Sequence, residues 1–280
     1  MSKKILWIAS YPKSGNTFMR SLLSSLIYTD SGEFNFNLLK KVKQFDIHLY
    51  FKFIKMINED DYRKINDIKV ASKYWKLAQK KFIEIDSNFI FKTHAANLMW
   101  ETFKYTDEER TLGVIYLVRD PRDIVISYAH HMSKKFDEVV NYIIKKDSVL
   151  INSDNRVAVP LSSWDVHIKS WEMLNVPKYI VRYEDLISNT KKIFSEIVNF
   201  LENDLKIDFA INEEKFNAII QSTKFNRLKK MEQGGGFRES YKKNIFFRKG
   251  KHGDGKQLDK ISSDKLILNF KDVMKKFKYL

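Results

Sequence analysis

The sequence contains no cysteine. Disulfides and thiolate-held metals are therefore excluded, and the absence fits a reducing compartment. Proline is scarce, with four in 280 residues, and so is glycine, with nine. Six of those glycines lie between Gly234 and Gly255, which gathers the most permissive backbone into one late segment. No apolar run approaches the length that crosses a bilayer. The run nearest the start, Ile5 to Ala9, is too short for a signal-peptide core and is soon followed by Pro12 and Lys13. A soluble cytoplasmic protein without a membrane span is the expectation.

The residues that are present point to one large core. Hydrophobic residues make up 44% of the chain, enough for a single domain spanning 1–280. Fifty Lys and Arg stand against 35 Asp and Glu, a formal charge of +15. Such a balance favours anionic partners such as nucleotides, acidic substrates or nucleic acid. Much of the excess is Lys scattered through Ile- and Asn-rich sequence, which the base composition of a gene also produces. No dense basic run interleaved with aromatics marks a nucleic-acid surface, so no specific nucleic acid is expected.

The most organised stretch is Ile5 to Leu23. Ile5 to Ala9 has the length and composition of a buried strand. Apolar residues then recur at Phe18, Met19, Leu22, Leu23, Leu26 and Ile27, one face of a helix. Between them lies Tyr11-Pro12-Lys13-Ser14-Gly15-Asn16-Thr17. A strand, a tight turn and a helix start present free backbone N–H groups to an anion. Lys13 adds charge, and Ser14, Asn16 and Thr17 add side-chain donors. The order is not that of a Walker A loop, which needs G-x-x-x-x-G-K-[ST]; here the lysine precedes the first glycine.

Three further strands each end in polar residues, where open α/β sheets bind ligands. Phe89 to Thr93 runs into His94, carrying Lys92-Thr93-His94. A lone His in such a place is often structural. Gly113 to Val118 runs into Arg119-Asp120-Pro121, and Asp followed by Pro is a helix start. Ser127 lies further along that helix, with His130 and His131 beyond it. Arg122 and Asp123 read as a surface ion pair. Lys178 to Tyr183 runs into Glu184-Asp185-Leu186, residues that fix a loop ahead of a helix from about Thr190 to Glu202. Residues 34–85 read as amphipathic helices. Trp164, Ile168 and Trp171 share a helix face, with His167 beside them as a structural residue. Leu258 to Leu280 reads as a closing helix.

These stretches, in this order, resemble the sulfotransferases that use 3′-phosphoadenosine 5′-phosphosulfate (PAPS). Pro12-Lys13-Ser14-Gly15-Asn16-Thr17-Phe18 resembles their Y-P-K-S-G-T-T-W loop, with Asn16 for the first Thr and Phe18 for the Trp. Lys92-Thr93-His94 resembles their K-T-H element. The run from Tyr116 to Tyr128 resembles their second motif, and Tyr183-Glu184-Asp185-Leu186 their Y-E-D-L. Thr223-Lys224-Phe225 resembles an adenine-packing segment. Arg248-Lys249-Gly250-Lys251-His252-Gly253-Asp254-Gly255-Lys256 resembles R-K-G-x-x-G-D-W-K, with Gly255 for the Trp.

The resemblance implies a three-layer α/β fold with a mainly parallel sheet of four or five strands and a P-loop-like phosphosulfate loop. It implies sulfuryl transfer from PAPS to a hydroxyl or amine of a small-molecule acceptor, leaving PAP (3′-phosphoadenosine 5′-phosphate) and using no metal. Lys13, Lys92, His94 and Ser127 become catalytic, His94 as base, with Ser127 restraining Lys13 until the acceptor binds. Lys13, Ser14, Gly15, Asn16, Thr17 and Phe18 take the 5′ end of the nucleotide. Arg119, Ser127, Arg248, Lys249 and Gly250 take the 3′-phosphate, and Tyr183, Thr223 and Phe225 the adenine. The family's dimer motif K-x-x-x-T-V-x-x-x-E is not seen, which leaves the oligomeric state open. The rival readings are a P-loop-type kinase and a non-catalytic anion- or nucleic-acid-binding protein.

Overall fold

The computed structural model describes residues 4–47, 51–52, 54, 56–85, 89–151, 157–235, 237, 239 and 245–280. Its centre is a parallel five-stranded sheet. The strands are β1 (Ile5–Ser10), β2 (Lys43–Gln44), β3 (Ile90–Thr93), β4 (Thr111–Val118) and β5 (Lys178–Arg182), in the order β2-β3-β1-β4-β5. Parallel register sets Leu6 beside Ile90 and Ala9 beside Thr93. The β1 residues Ile5 to Ala9 are all buried, the near-continuous apolar pattern expected of a strand covered on both faces. Lys43–Gln44 is a correction to the helical reading of residues 34–85. Only two residues long, this edge strand pairs with β3 in parallel and is too short to carry a periodic signal. Among the described residues of that stretch, the longest helix is Trp75–Ile85.

The chain falls into two compact units. One comprises Met1–Tyr11, Lys43–Tyr116 and Tyr142–Ile180, the other Pro12–Val42, Leu117–Asn141 and Val181–Leu280. The first holds most of the sheet. Its core is aromatic: the Trp7 ring lies within 6.3 Å, centroid to centroid, of Phe45, Phe91, Tyr105 and Trp171. Burying each such side chain contributes about 2–3 kcal/mol. Trp164, Ile168 and Trp171, on the helix Trp164–Glu172, are buried as their shared face requires.

The second unit carries the helices that follow the strands. Asn16–Tyr28 follows β1 and Pro121–Met132 follows β4. Asp120 caps the latter through the Arg122 N–H with Pro121 in the first turn, and Ser133 ends it in a left-handed conformation at φ 55°. Tyr183 to Leu186, read from sequence as strand end and loop, instead opens a short helix, Tyr183–Ser188. The helix expected from Thr190 to Glu202 ends at Asn199 and widens into a π turn over Phe200–Asp204. The closing helix is Lys260–Lys276. Among the described residues no helix is long and apolar enough to cross a membrane.

Candidate functional site

Each principal candidate follows the carboxyl end of a strand. The Lys13 loop follows β1, His94 follows β3, Arg119 follows β4 and Tyr183 follows β5.

In the second unit the loop makes two left-handed turns, at Lys13 (φ 68°) and Gly15 (φ 94°). Such a conformation is uncommon for a lysine and persists where its surroundings hold it. What holds it is Arg119, whose guanidinium donates to the Lys13 carbonyl at 2.9 Å. Arg119 is itself buried and lies over the Tyr183 ring, 4.3 Å from its centroid. The same ring covers Gly15 so closely that a Cβ there would stand 2.5 Å from Tyr183 Cδ2. Both the φ and the space demand glycine. Burial pushes the Tyr183 phenol up, outweighing the lowering by Arg119, so it stays neutral.

Gly15 is the N-cap of the Asn16–Tyr28 helix and no side chain caps it. A helix start of this kind is where backbone donors and the helix dipole favour an anion. Ser14 is fully buried, and among the described residues its Oγ has no hydrogen-bond partner. Thr17 donates its hydroxyl to a carboxylate, Glu239, which also pairs with Arg20 at 2.7 Å. Lys13 Nζ lies over the Phe246 ring, 4.3 Å from its centroid. Phe18 packs with Phe225 around Leu39, Leu228 and Phe247.

The late basic segment is tied into this constellation by a residue the sequence did not single out. Asp123, read as half of a surface pair, is almost fully buried. Its carboxylate accepts the Gly253 N–H at 2.8 Å and the Gly255 N–H at 2.6 Å. Arg122 pairs with Asp120 instead. Gly255 stands where a Cβ would meet Arg122 Cβ at 2.5 Å, so this backbone has no room for the family's tryptophan. Arg248 and Lys249 each reach Asp254 at 2.7 Å. Burial raises the Asp254 carboxyl, but the two cations outweigh it and hold the group below the usual range. Gly250, at φ 61°, packs against the Phe225 ring with no space for a Cβ. Asp123→Ala is expected to destabilise the protein by about 3 kcal/mol, the loss of two charge-assisted hydrogen bonds. Denaturant unfolding measures this; an unchanged midpoint would show that the carboxylate anchors nothing.

Other candidates are placed less directly. Ser127 is half-buried on the Pro121–Met132 helix. Thr223 is buried at a helix end, and its hydroxyl is spent on the Ile219 carbonyl. Glu184, assigned to a loop, lies in the Tyr183–Ser188 helix and accepts the Asp120 N–H and the Tyr279 hydroxyl. Of the glycine-rich stretch, Gly236, Arg238 and residues 240–244 lie outside the described residues.

In the first unit, Lys92 is buried on β3 and His94 is half-buried beyond it. The His94 ring nitrogen Nδ1 sits 2.8 Å from the Ser10 carbonyl and 3.3 Å from the Ser10 Oγ. A carbonyl only accepts, so Nδ1 carries the proton and the lone pair lies on Nε2.

A family model described as the sulfotransferase domain matches residues 3–278. The chain belongs to that family. Among curated relatives, sulfotransferase 1E1 of Rattus norvegicus is 27% identical over 235 residues, covering 80% of this chain. Sulfotransferase 1A1 of Rattus norvegicus is 28% identical over 229 residues, again 80% of this chain. The chain spans 65–66% of the length of these relatives. The fold is shared with mouse sulfotransferase SULT7A1 complexed with PAP, at a TM-score of 0.61 and 19% identity, covering 98% of this chain and 84% of that one. It is shared too with retinol dehydratase in complex with androsterone and inactive cofactor PAP, at 0.62 and 17% identity, covering 96% and 80%. Within this sulfotransferase-domain chain, Asp123 and Gly255 show how the late basic segment is closed. Among the described residues no cluster of three His, Asp or Glu could hold a metal.

Proposed function

We propose that this protein transfers a sulfuryl group from PAPS to a hydroxyl or amine of a small-molecule acceptor. One observation carries the reading: a buried arginine, Arg119, holds the phosphate-type loop by its Lys13 carbonyl while lying on the aromatic ring that covers Gly15. The residues fit a nucleotide with two anionic ends. Among the described residues, Ser14 Oγ is buried with no hydrogen-bond partner and no side chain caps the helix behind it.

The donor supplies a sulfuryl group with a phosphate as leaving group. Ser14, Thr17 and the backbone N–H groups from Gly15 through Asn16 bind its 5′ end. Arg119, Ser127, Arg248, Lys249 and Gly250 bind the 3′-phosphate, with Arg248 and Lys249 turning from Asp254 to do so. Tyr183 and Phe225 flank the adenine, and Thr223, its hydroxyl committed to Ile219, contributes its methyl group. Phe18 serves by packing behind the loop. His94 accepts the acceptor's proton at Nε2, and Lys92 adds a cation to the same strand end. Lys13 stabilises the charge that collects on the leaving phosphate. Ser127 restrains Lys13 before the acceptor arrives.

Binding tests the cofactor. PAP is expected to bind at least about a hundredfold more tightly than AMP, because the charge-assisted contacts to a 3′-phosphate are each worth about 1.5–3 kcal/mol. Calorimetry with both nucleotides measures the ratio, and equal affinities would remove the assignment. A PAPS-dependent screen across phenols, alcohols, amines, lipids and sugars then identifies the acceptor.

A further inference from the structure

His167 and Tyr116 belong to no part of the mechanism so far. Both are fully buried in the first unit. His167 Nε2 sits 3.1 Å from the His94 carbonyl, which only accepts, so Nε2 carries the proton and Nδ1 the lone pair. The Tyr116 hydroxyl, 2.8 Å from His167 Nδ1, therefore donates to it. The Tyr116 oxygen in turn accepts from the Tyr11 backbone N–H. His94 Nδ1–H donates to the Ser10 carbonyl at 2.8 Å. Ser10 C=O and Tyr11 N–H are the two ends of one peptide group, so the chain of donors closes on itself.

We propose that Tyr116 and His167 are positioning residues for His94: with the Ser10–Tyr11 peptide they complete a one-directional ring of hydrogen bonds that sets the orientation and tautomer of the base. This rests on the reading of His94 as base. The ring fixes His94 twice, by its main-chain carbonyl and by its imidazole Nδ1. Each donor leaves only one role for its neighbour, and buried hydrogen bonds running head to tail strengthen one another. If His167 moved its proton to Nδ1, it would turn a lone pair on the His94 carbonyl and face the Tyr116 hydroxyl with a second donor. Burial supports this arrangement by holding the His167 imidazole neutral, its pKa pushed down to about 4. Tyr11 packs edge-on against the His167 ring, with centroids 5.4 Å apart, so the residue that leads into the Lys13 loop also steadies the ring.

The test needs both spectra and rates. Two-bond ¹H–¹⁵N spectra of histidine-labelled protein should show neutral His94 protonated at Nδ1 and neutral His167 protonated at Nε2. In Tyr116→Phe and in His167→Phe, His94 should pass to a mixture of tautomers. PAP release from PAPS, with 2-naphthol as probe acceptor, should fall about 10- to 100-fold in kcat with little change in KM for PAPS. His167→Gln can donate to the His94 carbonyl and accept from Tyr116, so it should recover part of the loss. In a His94→Ala background, His167→Phe should lower release no further.

Retention of the single His94 tautomer in both Tyr116→Phe and His167→Phe overturns the proposal. So does a His167→Phe loss that multiplies undiminished onto His94→Ala. Should His94→Ala alone turn over at the wild-type rate, the base assignment fails first and takes the ring's catalytic role with it. A dead His94→Ala beside a fully active His167→Phe refutes only the ring. Thermal unfolding of each variant separates these outcomes from loss of fold.

Discussion

His94→Ala is expected to lower sulfuryl transfer by two to four orders of magnitude, the usual worth of a positioned general base, while PAP affinity is kept. The fold should survive. His94 is half-buried, and its contact with His167 is made by the main-chain carbonyl, which alanine retains. What alanine removes is an imidazole whose Nδ1–H is committed to Ser10, which leaves Nε2 as the nitrogen proposed to take the proton. The acceptor pKa gives the sharper measurement. An alcohol or ordinary phenol must lose its proton as it attacks, and for these the full defect should appear. A phenol acidic enough to be ionised at the assay pH has no proton to give, so the defect should shrink towards nothing. A defect of equal size with both acceptors would mean that His94 holds the acceptor in place and moves no proton.

What could be read from the residues alone follows a physical rule: local determinants were legible and distant ones were not. Ile5 to Ala9 is buried because five consecutive apolar residues allow little else. Asp120-Pro121 starts a helix because cap and first turn are chemically fixed by those two residues. The strand, turn and helix start from Ile5 to Tyr28 follow from residue type and order. The strand-end position of His94, Arg119 and Tyr183 follows from the strands themselves.

Asp123 shows the other side. Beside Arg122 it looks like an exposed ion pair, but it pairs with Arg119 at 3.7 Å, and its carboxylate accepts the N–H groups of Gly253 and Gly255, 130 and 132 residues away. No periodicity carries that information. The signal that could have found it is chemical: a glycine-rich segment full of backbone donors needs an acceptor, and a carboxylate in the first turn of a helix is well placed to be one. His167 is similar. On its helix it looks like one more member of a buried face, and only Tyr116 on β4 and His94, just past β3, supply the partners that give each of its nitrogens a role. The two-residue strand Lys43–Gln44 has too few residues for alternation to register. Thr223 was legible by position, yet its hydroxyl is used within its own helix, a competition that hydroxyl side chains enter wherever a carbonyl lies four residues back.

Lys13→Ala is expected to reduce kcat by about 10²- to 10³-fold, the loss that follows removal of one preorganised donor from a developing anion. The loop should keep its shape, because Arg119 holds it by the Lys13 carbonyl, a bond that alanine retains. The left-handed backbone at residue 13 is open to alanine as much as to lysine. If Lys13 acts on the leaving phosphate, its benefit grows as that phosphate gains charge. The 5′-phosphate of PAP carries more negative charge than the same group esterified by sulfate in PAPS. Loss of the lysine should therefore weaken PAP binding more than PAPS binding, and kcat should follow the PAP term. Equal weakening of both nucleotides with kcat unchanged would mean uniform binding, and Lys13 would then be a nucleotide ligand with no part in the chemical step. Lys13→Arg is expected to recover binding better than turnover, since a wider guanidinium restores the charge but not the compact ammonium that lies over Phe246.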